Sequence, residues 1–508
     1  QSLLFSIEDA PSVKEEYGIL QLEDENIHTE FSQTSMLQQH YFPIYGIKII
    51  KDYTDKQYRF RLDTVGGMMM QSENYGKVLH TSEEIRWVQT EPFCFDFIKE
   101  SKGSTTLFPV DDYLEGITLD NRHISMYMTR AMQVHEGVAH FNTDIVIKGK
   151  QGENRKLIGL QFTGGVLGLL FRPDKLNIDM TKRGNYKVTC KEDRIEQEVL
   201  IGEKKYTISV ESSLYEHCGV AGKSLVNDQV ILEVVAADGI GRKDIVPIYN
   251  AVYKMCQFLT FRKNVQFSKV ELLVEECWDG EVFPITGGTV FSRDHFEKAI
   301  EKNWNRCISF ETMKECMGTL FKMIYVEKVN KPYFSLNFLP ENDADENWIS
   351  VEKIRNICTA LECEAMLQKL SAEDNPDFKD LMESVKNMVK AHKESTNALP
   401  PKAYDLINSS ISHWDFAAAD KVKALFHKYY EIIFQLECFK MSQAKFEEGV
   451  DRIIRLRNRT THGNFASVSS EDAMVAVNLM NIIYISRLDR LGLSKDVIRH
   501  LIVRGVVY

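Results

Sequence analysis

The sequence predicts a multidomain α+β protein, and three observations lead there. Before residue 240 apolar and polar residues tend to alternate with period two. After residue 349 the apolar residues recur at three and four, and the charge divides near the same place. The chain has 508 residues, 44% hydrophobic and 27% charged, enough for roughly two to four folded domains and too apolar to be disordered.

Residues 1–240 read as a β-rich region. Tyr58–Asp63 and Phe141–Ile147 alternate with apolar residues on one face. Residues 195–210 read as a hairpin with Gly202 in its turn, and Val230–Val235 as a buried strand. So few segments carry a helical stripe that a sandwich or barrel-like domain is expected. Residues 241–345 are mixed and continue this region. A helix over 244–261 has Pro247 near its start, where a missing N–H costs little. Residues 265–274 read as a strand, 308–328 as one amphipathic helix, and the acidic stretch 340–348 (PENDADENW) as a junction.

Residues 346–508 read as all-helical. Val351, Ile354, Cys358, Leu361 and Ala365 form one stripe, and Val422, Leu425, Phe426, Tyr429, Ile433 and Leu436 another. The last long helix, about 471–491, is nearly all apolar, so it needs cover on most sides, either at a bundle centre or in a dimer interface. Ser469, three residues before Asp472, marks its start as a capping box.

The net charge is −11, which argues against coating nucleic acid by bulk positive charge. Residues 1–350 carry −12 and residues 351–508 carry +1, so the two parts are expected to meet different partners. No apolar run reaches the roughly 20 residues that span a bilayer, and the first residues lack a basic-then-apolar leader. A cytoplasmic protein with no membrane partner is expected. The ten cysteines are scattered without CxxC spacing, which points to reduced, mostly buried thiols.

Metal and phosphate-loop motifs fail on spacing. His135 and His140 are five apart, as are Cys358 and Cys363, so neither pair shares a helical face. The glycine pairs lack a GxxxxGK[ST] pattern, and neither metal nor cofactor is expected. The strongest cluster is Arg452, Arg455, Arg457, Asn458, Arg459, His462 and Gly463. Phe446, Val450, Ile453 and Ile454 mark the buried face of its helix, and Arg457 continues that face, where it needs an anionic partner. Arg457 and His462 would lie about 140° apart on an unbroken helix, so meeting at one phosphate requires the helix to bend or end near Thr460–Thr461. Gly463 suits such an end.

An arginine fork and a histidine suit metal-independent RNA cleavage. The arginine grips the phosphate, and the histidine moves protons between the 2′-hydroxyl and the leaving 5′-oxygen. The bland reading is a solvated helix end with His462 as its cap. The Arg-Asn-x-x-x-His step between two long helices resembles the HEPN ribonuclease family, on Arg457, Asn458 and His462. Arg455 also fits the permitted spacing, and Asn458 directly after Arg457 favours the latter. The resemblance implies a helical bundle that dimerises through the C-terminal helices and joins two motifs into one RNase site. It further implies an acidic residue on an early helix, for which Glu362 is a better candidate than Glu364.

The layout as a whole resembles abortive-infection proteins of bacterial phage defence. That implies an endoribonuclease acting on tRNA, leaving 2′,3′-cyclic phosphate and 5′-hydroxyl ends, with an N-terminal sensor triggered by a phage protein. The acidic front part would limit non-specific RNA binding, so a chain lacking 1–345 is expected to bind RNA more tightly. The alternative is a non-catalytic RNA- or protein-binding module that dimerises through its helices.

Overall fold

The computed structural model describes residues 155–171, 176–181, 185–190, 194–218, 224–279, 281–293, 300–326, 334–346, 348–370, 376–412, 418–436, 439–461 and 467–507. Ahead of residue 155 it describes strand segments and a few neighbouring residues. Every described strand pairing is antiparallel, and with the helical last third this gives an α+β protein.

Six strands are β1 (Tyr75–Val78), β2 (Ile85–Glu91), β3 (Cys94–Lys99), β4 (Tyr113–Thr118), β5 (His123–Met128) and β6 (Val138–Gly149). They pair in the order β5-β4-β1-β2-β3-β6, and β6 returns to β5, so the ladder closes on itself. Closure leaves few unpaired edges, and Trp87 and Phe95 meet edge to face among its buried residues.

β6 also serves a second, open sheet. Its first half pairs with β3, whereas residues 145–149 pair with Gly288–Ser292. The open sheet contains β7 (Leu157–Thr163), β8 (Arg194–Ile201), β9 (Lys204–Cys218), β10 (Ser224–Val235), β11 (Lys269–Trp278) and β12 (Glu281–Ser292). Their order is β12-β11-β7-β10-β9-β8. Gly288 sits at the join, where a Cβ would come within 3.1 Å of the Gly149 Cα. The β8–β9 hairpin turns at Gly202, whose φ of 60° suits glycine. The strands of the mixed segment, β11 and β12, therefore lie at the end of this sheet that joins β6.

Helix α1 (Ile245–Thr260) buries twelve of its sixteen residues. The single helix expected over 308–328 is instead two, Phe310–Met313 and α2 (Met317–Tyr325). Ser309 caps the first, and Gln197 Oε1 accepts the Gly318 N–H at 2.9 Å, so a new helix starts there. The acidic junction is pinned rather than loose. Buried Arg262 donates to Asp343 at 2.8 Å and Glu346 at 2.6 Å, and Arg306 donates to Glu346 at 2.8 Å.

The longer helices of the last third are α3 (Val351–Leu367), α4 (Pro376–Lys393), α5 (Pro401–Ser412), α6 (Ala418–Lys428), α7 (Gln443–Thr461), α8 (Ser470–Arg490) and α9 (Lys495–Val503), with a short one at Tyr430–Ile433. Ser469 caps α8 by accepting the Asp472 N–H at 3.1 Å. Every residue from Asn478 to Leu488 is buried, under α3, α6, α7 and α9. Gly449 lets α7 come close, since a Cβ there would sit 2.5 Å from Val475 Cγ2. The front part completes the cover: Tyr484 stacks on Phe258 at 4.6 Å and donates to its carbonyl at 2.8 Å. The apolar character of α8 is thus satisfied within one chain. Among the described residues one continuous hydrophobic cluster runs from the open sheet through α9. Among the described residues no helix is long and apolar enough to cross a membrane.

Candidate functional site

Helix α7 is fixed by its apolar face: Phe446, Val450, Ile453 and Ile454 are all buried, as the sequence pattern predicts. That leaves the last turns to carry polar groups in defined directions. The helix ends at Thr461, and the Thr460 hydroxyl turns back onto the carbonyls of Leu456 (3.1 Å) and Arg457 (2.9 Å). His462 and Gly463 lie outside the described residues.

Arg457 is half-buried. Its Nη2 donates to Glu362 Oε1 at 2.5 Å and its Nη1 to Asn458 Oδ1 at 3.1 Å. Glu362 comes from α3, which Ser350 caps by accepting the Lys353 N–H at 3.1 Å. Ile354, Cys358, Leu361 and Ala365 anchor that helix in the core. The guanidinium and carboxylate are 25% and 31% exposed, so an anion arriving from solvent can reach the arginine. One turn before Glu362, burial pushes the Cys358 thiol up to about 12, with the Arg457 charge opposing and the Glu362 charge adding. The thiol therefore stays protonated at neutral pH and is not a nucleophile.

Three of the four sequence candidates are placed: Arg457, Asn458 and Glu362 converge. Arg455 points about 200° around the helix from Arg457 and is exposed. Arg452 binds Asp472 at 3.1 Å and Glu471 at 3.4 Å, tying α7 to the first turn of α8. Glu364 is not at the site. It is fully buried and accepts from Ser486 (2.9 Å), Arg487 (2.9 Å) and Arg490 (2.7 Å). Arg487, equally buried, lies over the Phe334 ring at 4.4 Å and donates to the Ser335 carbonyl at 2.8 Å. This buried ion pair joins the front part to α3, the helix bearing Glu362. Nothing in the apolar pattern of α8 signals it.

Elsewhere, His135 and His140 fall on adjoining strands, Gln133–His135 and β6. Among the described residues no three His, Cys, Asp or Glu side chains gather as metal ligands. A polar cleft where the closed ladder meets the open sheet is lined by Glu115, His123, Ser125, Arg155 and Arg242, with Arg242 held by Glu115 at 2.6 Å. Compared with known proteins, the chain matches no family model, no curated protein and no solved structure.

Proposed function

We propose that this chain is a metal-independent endoribonuclease of the HEPN type, with a bundle of that kind as its last third. It would act in bacterial abortive infection against phage, as ApeA proteins do, with tRNA as substrate. The observation that carries the reading is the Glu362–Arg457 pair. It brings Glu362, Arg457 and Asn458 together near the end of α7, the helix that stops one residue before His462 in the sequence.

In this reading His462 takes the proton of a ribose 2′-hydroxyl, and the freed oxygen attacks the adjacent phosphorus. The P–O5′ bond breaks, the leaving oxygen gains a proton, and a 2′,3′-cyclic phosphate and a 5′-hydroxyl remain. Arg457 holds the phosphate and its growing negative charge, Asn458 orients it, and Glu362 fixes the guanidinium. Two chains pair through their helices, and the β-rich front part receives a phage-derived signal.

The test compares wild type, His462→Ala and Arg457→Ala for RNA cleavage with EDTA present. Wild type is expected to cut, and both variants to lose at least about 100-fold. A His462→Ala chain that cuts at the wild-type rate, or a wild type that needs Mg²⁺, refutes the reading. Exposed Leu381, Met388 and Leu406 on α4 and α5 favour the second reading, a non-catalytic interaction module. Wild type and His462→Ala equally inert on RNA would support it.

A further inference from the structure

The helical region holds nine arginines between residues 351 and 507. Six have an oxygen partner in the chain: Arg452 on Asp472, Arg457 on Glu362, Arg487 and Arg490 on Glu364, Arg499 on Asp496 and Arg504 on Asn305. The other three, Arg355, Arg455 and Arg459, are exposed and have no ion pair or side-chain hydrogen bond among the described residues. Arg355 lies on α3, the helix of Glu362, and Arg455 and Arg459 lie on the last turns of α7, about 160° and 200° around it from Arg457.

Arg355 lies seven residues before Glu362, about 10.5 Å along α3 and within about 20° of the same face. Arg455 and Arg459 sit one turn apart, about 40° around α7 from each other, and bracket Arg457 in sequence. Exposed Asn458 lies between them and Arg457, so the surface is continuous around the helix end. Within the helical region the described arginines other than these three are paired, and the three bare ones share the two helices, α3 and α7, that carry Glu362 and Arg457.

We propose that Arg355, Arg455 and Arg459 form a track for non-scissile phosphates of a single-stranded RNA, on either side of the phosphate at Arg457. The proposal rests on the ribonuclease reading above and adds how the substrate is held. A guanidinium fork matches a phosphate bidentately, and successive phosphates along one strand need separate cations rather than one deep pocket. Because the rest of the chain is acidic, these cations are where the polyanion can lie, with Arg355 leading away along α3 and the α7 pair turning around the helix end.

The test uses the full chain and a single-stranded RNA oligonucleotide with every 2′-hydroxyl methylated, which binds but cannot be cut. Affinity is followed by anisotropy from about 50 to about 200 mM KCl. Changing all three arginines to glutamine should lower the steepness of log K against log salt by about 2, at about 0.7 per phosphate contact. Across that fourfold salt range wild type should therefore lose roughly 18-fold more affinity than the variant. The triple lysine variant should recover the wild-type slope, because the charges remain. A glutamine variant with the wild-type slope overturns the track. Poly-glutamate binding with the same arginine-dependent slope overturns the RNA assignment in favour of an acidic protein. Since the RNA is blocked, binding is read apart from catalysis. Loss of slope in a chain that never cuts unmodified RNA refutes the site reading alone, whereas normal cutting with an unchanged slope refutes the track alone.

Discussion

Replacing Glu364 with leucine removes one carboxylate and leaves two arginines facing it. Arg487 is fully buried, so it has no water to turn to. Its remaining partners are the Ser335 carbonyl at 2.8 Å and the Phe334 ring at 4.4 Å. Removing one member of a buried pair costs about 3–5 kcal/mol, because the other charge stays desolvated. A desolvated cation–π contact of about 2 kcal/mol is present before and after and does not offset this. Arg490, 23% exposed, can turn outward and should add little. The expected loss is thus about 4 kcal/mol, a large part of the 5–15 kcal/mol that holds a typical domain. Urea unfolding followed by circular dichroism should show a midpoint roughly 1 M lower. Glu364→Leu with Arg487→Met should regain most of the loss, since apolar groups of similar volume replace buried pairs at little cost. A single variant that loses under about 1 kcal/mol, or a double variant no more stable than the single, refutes the argument.

Glu362→Gln is a different case, because its pair with Arg457 is partly open to water. Stability should fall by less than about 1 kcal/mol in thermal unfolding, while RNA cleavage should drop at least about 10-fold as the guanidinium loses its hold. Equal cleavage by that variant would remove Glu362 from the site. Buried Lys302 donates to the Val506 carbonyl at 2.6 Å. Burial, helped by the charges of Arg262 and Arg306 and opposed by Cys307 and Glu346, pulls its pKa down to about 7. Between about pH 7 and the ordinary lysine range near 10.4 the unfolded chain then binds one proton more than the folded one. Raising pH through that window should therefore stabilise the protein, by at most about 1.4 kcal/mol per pH unit. Urea midpoints at pH 7 and pH 9 for wild type and Lys302→Met test this, and a methionine variant with the same pH slope would refute it.

What the sequence could disclose was what local chemistry decides. The Ser469 cap, the Gly202 hairpin and the buried face of α7 each depend on residues a few positions apart, and each is present in the fold. The break in the 308–328 helix depends on Gln197, 121 residues away in the chain, which no periodicity within the segment reveals. Closure of the six-strand ladder is a property of pairing between distant strands, equally silent in any one of them. At the site, the sequence named Arg457, Asn458 and Glu362 but had no means of bringing residues 95 positions apart into one ion pair. The apolar run in α8 demanded cover without saying whose, and only packing shows that Phe258, α3, α7 and their neighbours supply it.

The stacking of Phe258 on Tyr484 has one more implication. A protease cut near residue 346 would free no ready-made enzyme. The severed helices would bare Tyr484 and the side of Arg487 that donates to the Ser335 carbonyl, an apolar seam prone to self-association. Extra RNA sticking to such a fragment would therefore say little about charge repulsion in the intact chain. If this protein is armed by a signal, it is armed whole. The Ser335 carbonyl, Arg487 and Glu364 form one hydrogen-bonded chain from the front part to α3, the helix that carries Glu362.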